Sequence, residues 1–280
     1  MLSRKAVLGG GLAAGAAILL CWKWKQQQQQ QPGEEEEEAE GAPVITTFDD
    51  PRLAWDQGTP RTFSTSEGGG ELTVSPTPGI DYWSKTFYSP LLVKHDAETL
   101  MAEVGARAEA TLTTAFTLRP KAQFDQAGVM VKVDERTWVK AGIEFTDGVP
   151  RLSCVVTNDG YSDWSTQAWT ASSKPMPAPG GGTTTTTSAR VRVSKLLPGV
   201  EQGPALVMEA CTYNEGDGAE AEGEWVQVRI ASLRSGTKPW RMGVFAICPV
   251  ANRGCTVHFH HMSLGPKCEP VHKADNPLDG

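Results

Sequence analysis

Between Gln126 and Thr157 apolar residues recur at every second position in three successive runs, and two turns between the runs fix how they pair. A period of two sends alternate side chains to opposite faces of a strand. In the first run Ala127, Val129, Val131 and Val133 alternate with Gln126, Gly128, Met130 and Lys132. In the second, Val139, Ala141, Ile143 and Phe145 alternate with Trp138, Lys140, Gly142, Glu144 and Thr146. A three-residue turn at Asp134-Glu135-Arg136 sets Lys132 opposite Trp138, Met130 opposite Lys140, Gly128 opposite Gly142 and Gln126 opposite Glu144. The Asp147-Gly148 pair that follows is the strongest short-range hairpin signal. It sets Glu144 opposite Arg151, Gly142 opposite Ser153, Lys140 opposite Val155 and Trp138 opposite Thr157. On the other face Ile143 meets Leu152, Ala141 meets Cys154 and Val139 meets Val156. Both turns choose the same face as core, and a slip of one residue would turn that face to water.

From Val44 onward the rest of the chain repeats this character without a helical period. Short alternating or β-branched runs fall at 71–75, 81–87, 99–104, 108–118, 126–133, 138–146, 149–157, 189–196, 205–213, 224–233, 240–248 and 256–264. A dozen strands with turn residues between them predict an all-β sandwich of two antiparallel sheets, of the jelly-roll type, over residues 44–268. Residues 172–188, rich in Pro, Gly and Thr, read as a flexible loop within that domain, and 269–280 as a C-terminal tail.

The N-terminal part differs in kind. Residues 6–22 form an uncharged run of about 25 Å as a helix, flanked by Arg4-Lys5 and by Lys23 and Lys25, with Trp22 and Trp24 at the exit. Leu19-Leu20-Cys21-Trp22 leaves no small-residue cleavage site, so residues 1–25 read as a retained single-pass anchor rather than a signal peptide. The basic flanks balance, so the side of the membrane stays open, with the mitochondrial outer membrane and the secretory pathway both possible. Residues 26–43, six Gln followed by Pro-Gly and a Glu run, read as a solvated, disordered tether. The net charge of −7 divides into −2 for residues 1–43 and −5 for the remainder, which argues against a nucleic-acid partner.

On the open face of the three-stranded unit the centre is bare, at Gly128, Gly142 and Ser153, and Gln126, Trp138, Lys140, Glu144 and Arg151 stand around it. A small floor with polar walls and an aromatic suits a sugar, whose hydroxyls need fixed partners and whose C–H face stacks on Trp. The plainer alternative is a cross-strand Glu144–Arg151 ion pair, with glycines that merely allow the sheet to curve.

Phe124-Asp125-Gln126-Ala127-Gly128, then Trp138-Val139-Lys140-Ala141-Gly142-Ile143-Glu144, then Ser162-Asp163-Trp164-Ser165 resemble the signature of the regulation-of-enolase-type domain. That family, of largely unknown function, is placed in the concanavalin A-like lectin/glucanase superfamily. Asp81-Tyr82-Trp83, Met242-Gly243-Val244-Phe245-Ala246 and Val257-His258-Phe259 resemble its other blocks, and the likeness runs from about Phe48 to Pro266. The resemblance implies a jelly roll with one concave sheet and the central motifs on or beside it. It brings Trp83, Asp163 and Trp164 to the proposed groove and supplies no reaction.

A glycosidase needs two carboxylates flanking the scissile bond. Glu144 is expected to be ion-paired, with a lowered pKa and little capacity as a general acid; Asp125, Asp163 or Asp81 could approach it from other strands. His258 and His260 share a strand face at a spacing that could chelate zinc, but no third ligand is evident, so neither metal nor cofactor is expected. Cys154 falls on the core face, and Cys248 and Cys255 could close a disulfide. The expectation is a membrane-tethered, non-catalytic binding module for a glycan or related polar ligand. The alternatives are a protein-interaction module acting on a metabolic enzyme, and a glycoside hydrolase or lyase.

Overall fold

The computed structural model describes residues 41–273 apart from 170–172, 178–182, 198, 200–202, 215–216, 219–222 and 235–237. The proposed anchor at 6–22 and nearly all of the proposed tether lie outside these residues, as does the end of the tail. Among the described residues no helix is long and apolar enough to cross a membrane.

In chain order the first strands are β1 (Ala54–Asp56), β2 (Thr62–Thr65), β3 (Leu72–Ser75), β4 (Tyr82–Ser84), β5 (Val93–His95), β6 (Thr99–Val104), β7 (Ala110–Arg119) and β8 (Gln126–Asp134). They are followed by β9 (Thr137–Thr146), β10 (Val149–Asn158), β11 (Tyr161–Ala168), β12 (Ser173–Pro177), β13 (Thr183–Leu196) and β14 (Ala205–Cys211). The last three are β15 (Val226–Ser232), β16 (Trp240–Ile247) and β17 (Thr256–Gly265). They form a sheet in the order β1-β6-β16-β8-β9-β10-β11 and a second in the order β15-β14-β13-β7-β17-β3-β2, with β12 beside β13. Every pairing within these sheets is antiparallel, so the domain is an antiparallel β-sandwich of the jelly-roll kind.

All twelve runs seen in the sequence contain a strand. The Asp147-Gly148 hairpin forms as expected, with both residues at positive φ (54° and 81°), the geometry of a turn that matches strand twist. The preceding turn is tighter than the sequence suggested. Asp134 pairs with Thr137, and a bulge between Lys132 and Asp134 absorbs the extra residue. Beyond the bulge the register is the expected one, from Lys132 opposite Trp138 to Gln126 opposite Glu144, and the β9–β10 register also matches residue for residue. One expectation fails: much of 172–188 is not a loop, because Ser173–Pro177 pairs with Thr183–Thr187 at the start of β13. Repeated threonines, β-branched and able to alternate, suit a strand, and a low-complexity composition hid this.

The core lies between the sheets. Ala127, Val129, Val131, Val139, Ala141, Ile143, Leu152, Cys154 and Val156 pack with residues of the other sheet that include Leu112, Phe116, Leu118, Val191, Val193, Met208 and Phe259. The opposite face of the first sheet, expected to be open, is partly roofed by the separate β4–β5 hairpin. Tyr82 and Trp83 there join Met130, Trp138, Val155, Phe245 and Ile247 in a second apolar cluster. What remains open beside that cluster is the site.

Candidate functional site

Where the hairpin roof ends, the sheet and the roof enclose a pocket of about 160 Å³. Gln126 at the start of β8, Lys140 and Glu144 on β9, Val155 on β10 and Trp164 on β11 line it from the sheet. Asp81, Trp83, Tyr88, Leu92 and Lys94 line it from the roof, and Phe124 and Pro249 close the ends. Gln126, Lys140 and Glu144 share one face because the strand period places them there, and the Gln126–Glu144 pairing sets two of them side by side.

The polar wall is a connected network. Lys140 Nζ lies 3.2 Å from Asp81 Oδ1, which Gln126 Nε2 also approaches at 3.5 Å and to which the Tyr82 backbone N–H donates at 2.7 Å. Glu144 is 5% exposed. Its Oε2 accepts a 2.6 Å hydrogen bond from the Ser153 hydroxyl, whose oxygen accepts in turn from Trp164 Nε1 at 2.9 Å. Burial pushes the Glu144 carboxyl above its usual range, against the Lys140 charge and the Ser153 hydrogen bond, and the Asp81 charge adds to the rise. This corrects the lowered value expected from the sequence. Arg151 is opposite Glu144 in register, but it is Ser153 that bonds the carboxylate.

The other wall is aromatic. Trp83 meets Tyr88 edge to face at 5.3 Å and Trp164 at 6.4 Å, and Phe124 meets Trp164 at 6.4 Å. Both indoles are tied down through their N–H groups, Trp83 to the Thr86 carbonyl and Trp164 to Ser153. A cleft with fixed aromatic walls and a polar network of both charges can orient a hydroxylated, uncharged ring.

Trp83, Gln126, Lys140, Glu144 and Trp164 therefore meet, whereas the other predicted residues do not line this pocket. Trp138 is fully buried against Tyr82, with ring centroids 5.4 Å apart, and offers no face for stacking. Gly128 and Gly142 are not a sugar floor. A Cβ on either would come within 2.7 Å of the other's Cα and would strike the facing strand's carbonyl, so they serve close backbone approach, and Phe245 pairs beside them on β16. Arg151 is the third residue of β10 and does not line the pocket, and Asp163 on edge strand β11 pairs with Arg229 at 2.9 Å. The sequence considered Asp81 only as a carboxylate that could approach Glu144. It missed Val155, Phe124 and Pro249, and also Tyr88, Leu92 and Lys94, because no alternation marks where a short hairpin folds back over a sheet.

Close by, Asp125 is fully buried and its Oδ2 accepts from the Lys121 and Ala122 backbone N–H groups at 2.7 and 2.9 Å. Cys248 and Cys255, whose disulfide state the sequence left open, are both buried and not joined in a disulfide, with Sγ atoms 2.9 Å apart. Hydrogen bonding to Cys248 and burial hold the Cys255 thiol well above its ordinary pKa.

A family model described as a protein of unknown function, DUF1349, matches residues 57–267. "Regulation of enolase protein 1" of Saccharomyces cerevisiae is 35% identical over 117 residues, which cover 40% of this chain and 54% of that protein. An uncharacterised protein of Emericella nidulans is 32% identical over 99 residues, 34% of this chain and 48% of that protein. The chain thus spans about half the length of the curated relatives it matches. Among solved structures, a functionally unknown protein from Saccharomyces cerevisiae superposes with a TM-score of 0.59 at 26% identity, covering 78% of this chain and 97% of that one. A variant of the GH43 protein BlXynB from Bacillus licheniformis superposes with a TM-score of 0.52 at 12% identity, covering 79% of this chain and 39% of that one. At that identity the likeness shows a shared sandwich fold and nothing about chemistry.

Proposed function

The chain belongs to the DUF1349 family, and from that premise we propose that it is a non-catalytic binding module whose pocket takes one sugar ring or a similarly hydroxylated ligand. The observation that carries this is the pocket's composition, tied-down indoles of Trp83 and Trp164 facing the Asp81–Gln126–Lys140–Glu144 network. Its volume of about 160 Å³ falls below the range of roughly 300–1,000 Å³ for drug-sized ligands, which favours a single ring or chain end over a buried oligosaccharide. Asp81 is paired with Lys140, so among the described residues no free second carboxylate lines the pocket beside Glu144, which favours binding over hydrolysis.

The test is a glycan array probed with the full chain. Binding is expected to fall roughly tenfold or more in Trp164→Ala and Lys140→Met. Absence of binding to any glycan, or binding indifferent to both changes, contradicts the proposal. Release of product from an oligosaccharide, abolished by Glu144→Gln, would establish the hydrolase alternative instead.

A second reading rests on the roof's outer surface, where Phe87 is 90% and Leu91 70% exposed. Such side chains suit a protein partner, and the yeast relative's name, "Regulation of enolase protein 1", makes a metabolic enzyme a reasonable one to try. Capture of a metabolic enzyme, lost in Phe87→Ala and kept in Trp164→Ala, would support it. Residues 6–22 are proposed to tether the module to a membrane. On that proposal the chain stays with the membrane pellet in alkaline carbonate, and deletion of 6–22 releases it.

A further inference from the structure

We propose that Glu71, His258 and His260 form a divalent transition-metal site, with Zn²⁺ the best-matched ion, on the sheet that does not carry the pocket. The sequence offered two histidines on one strand and no third ligand; the fold supplies it. Glu71 immediately precedes β3, whose Thr73 pairs with His258 on β17. Beyond His258, a register shift between Phe259 and His261 places His260 at a bulge in β17. One ligand atom from each of the three residues lies within 4.8 Å of the other two. His258 Nε2 is 3.5 Å from Glu71 Oε2, and the two imidazole centroids are 4.4 Å apart.

Two further observations separate this cluster from a chance surface ion pair, which accounts for Glu71 and His258 but not for a second imidazole beside them. First, His260 is oriented by its surroundings: Nε2 hydrogen-bonds Thr117 Oγ1 at 2.8 Å, Thr117 is itself bonded to Ser188 Oγ at 2.8 Å, and the Tyr213 ring lies 4.9 Å away. A ligating imidazole characteristically has such an outer partner fixing its ring. Second, Glu71 and His258 have side chains 51% and 37% exposed, so both can move. Tetrahedral zinc with bonds of about 2.0–2.1 Å needs donors about 3.4 Å apart, a contraction these two side chains can supply. Solvent access leaves the fourth position to water. Two imidazoles and one carboxylate suit Zn²⁺ and its transition-metal neighbours, whereas Ca²⁺ and Mg²⁺ prefer oxygen ligands throughout.

The test is Zn²⁺ titration of the chelator-treated full chain, with bound metal measured after dialysis. One equivalent is expected, with affinity falling roughly tenfold or more in both His258→Ala and Glu71→Gln. Because His260 is packed, its role is read from the visible spectrum of bound Co²⁺, which is expected to report nitrogen and oxygen donors without a thiolate charge-transfer band. Cys248→Ser is expected to leave uptake unchanged, and glycan binding is expected to survive His258→Ala. No uptake in excess Zn²⁺, uptake indifferent to His258→Ala and Glu71→Gln, or a thiolate band lost in Cys248→Ser would each overturn the site.

Discussion

At Glu144 a carboxyl sits beneath an aromatic roof with one hydroxyl donor and a nearby lysine, and burial outweighs both. Its pKa in the fold is above its ordinary value, so between the two values the folded chain binds more protons than the unfolded one. Stability from this group is therefore lost as pH rises through that window. Glu144→Gln, which cannot ionise, is expected to raise the melting temperature at neutral pH, with the gain closing toward about pH 4. Thermal unfolding of both proteins across that range checks it, and a Gln variant less stable than the parent at neutral pH would show that the carboxylate is stabilised after all. The strand alternation located Glu144 correctly and misjudged its ionisation. What decides the charge is the Tyr82–Trp83 roof, a contact between segments far apart in the chain, which no local pattern records.

The β8–β9–β10 unit was legible because two independent turns had to agree, and a bulge at Val133 changed the first turn without changing the register. Strands β1, β2 and β5 have three or four residues, too few for a period to show, and edge strand β11 is mostly polar. Gly128 and Gly142 stood out in the sequence as a bare patch, but what needs the space there is the neighbouring backbone and not a ligand. Gly142→Ala must push the β8 backbone away, at a cost of about 1–3 kcal/mol. Chemical denaturation measures this directly, and a variant as stable as the parent would mean that the strands are not held so closely. A comparable loss is not expected from an alanine at Gly148 for want of space, since nothing lies within 4 Å there, although its positive φ of 81° still disfavours the change.

At the scale of the molecule the described residues form a sandwich with one core between its sheets and a second, smaller apolar cluster beneath the hairpin roof. The sheet face that the sequence presented as an open groove is thereby reduced to a pocket, with five of the predicted ligand residues inside it and Trp138 sealed below. Both proposed sites depend on which segments the sandwich brings over the strands, the roof in one case and the start of β3 in the other. The pocket's role is tested most directly by saturation-transfer NMR on the full chain with a glycan that it retains on the array. Transfer is predicted to concentrate on the C–H face of one ring and to vanish in Trp164→Ala. Transfer spread evenly along the glycan, or unchanged in Trp164→Ala, would contradict a single-ring site between Trp83 and Trp164.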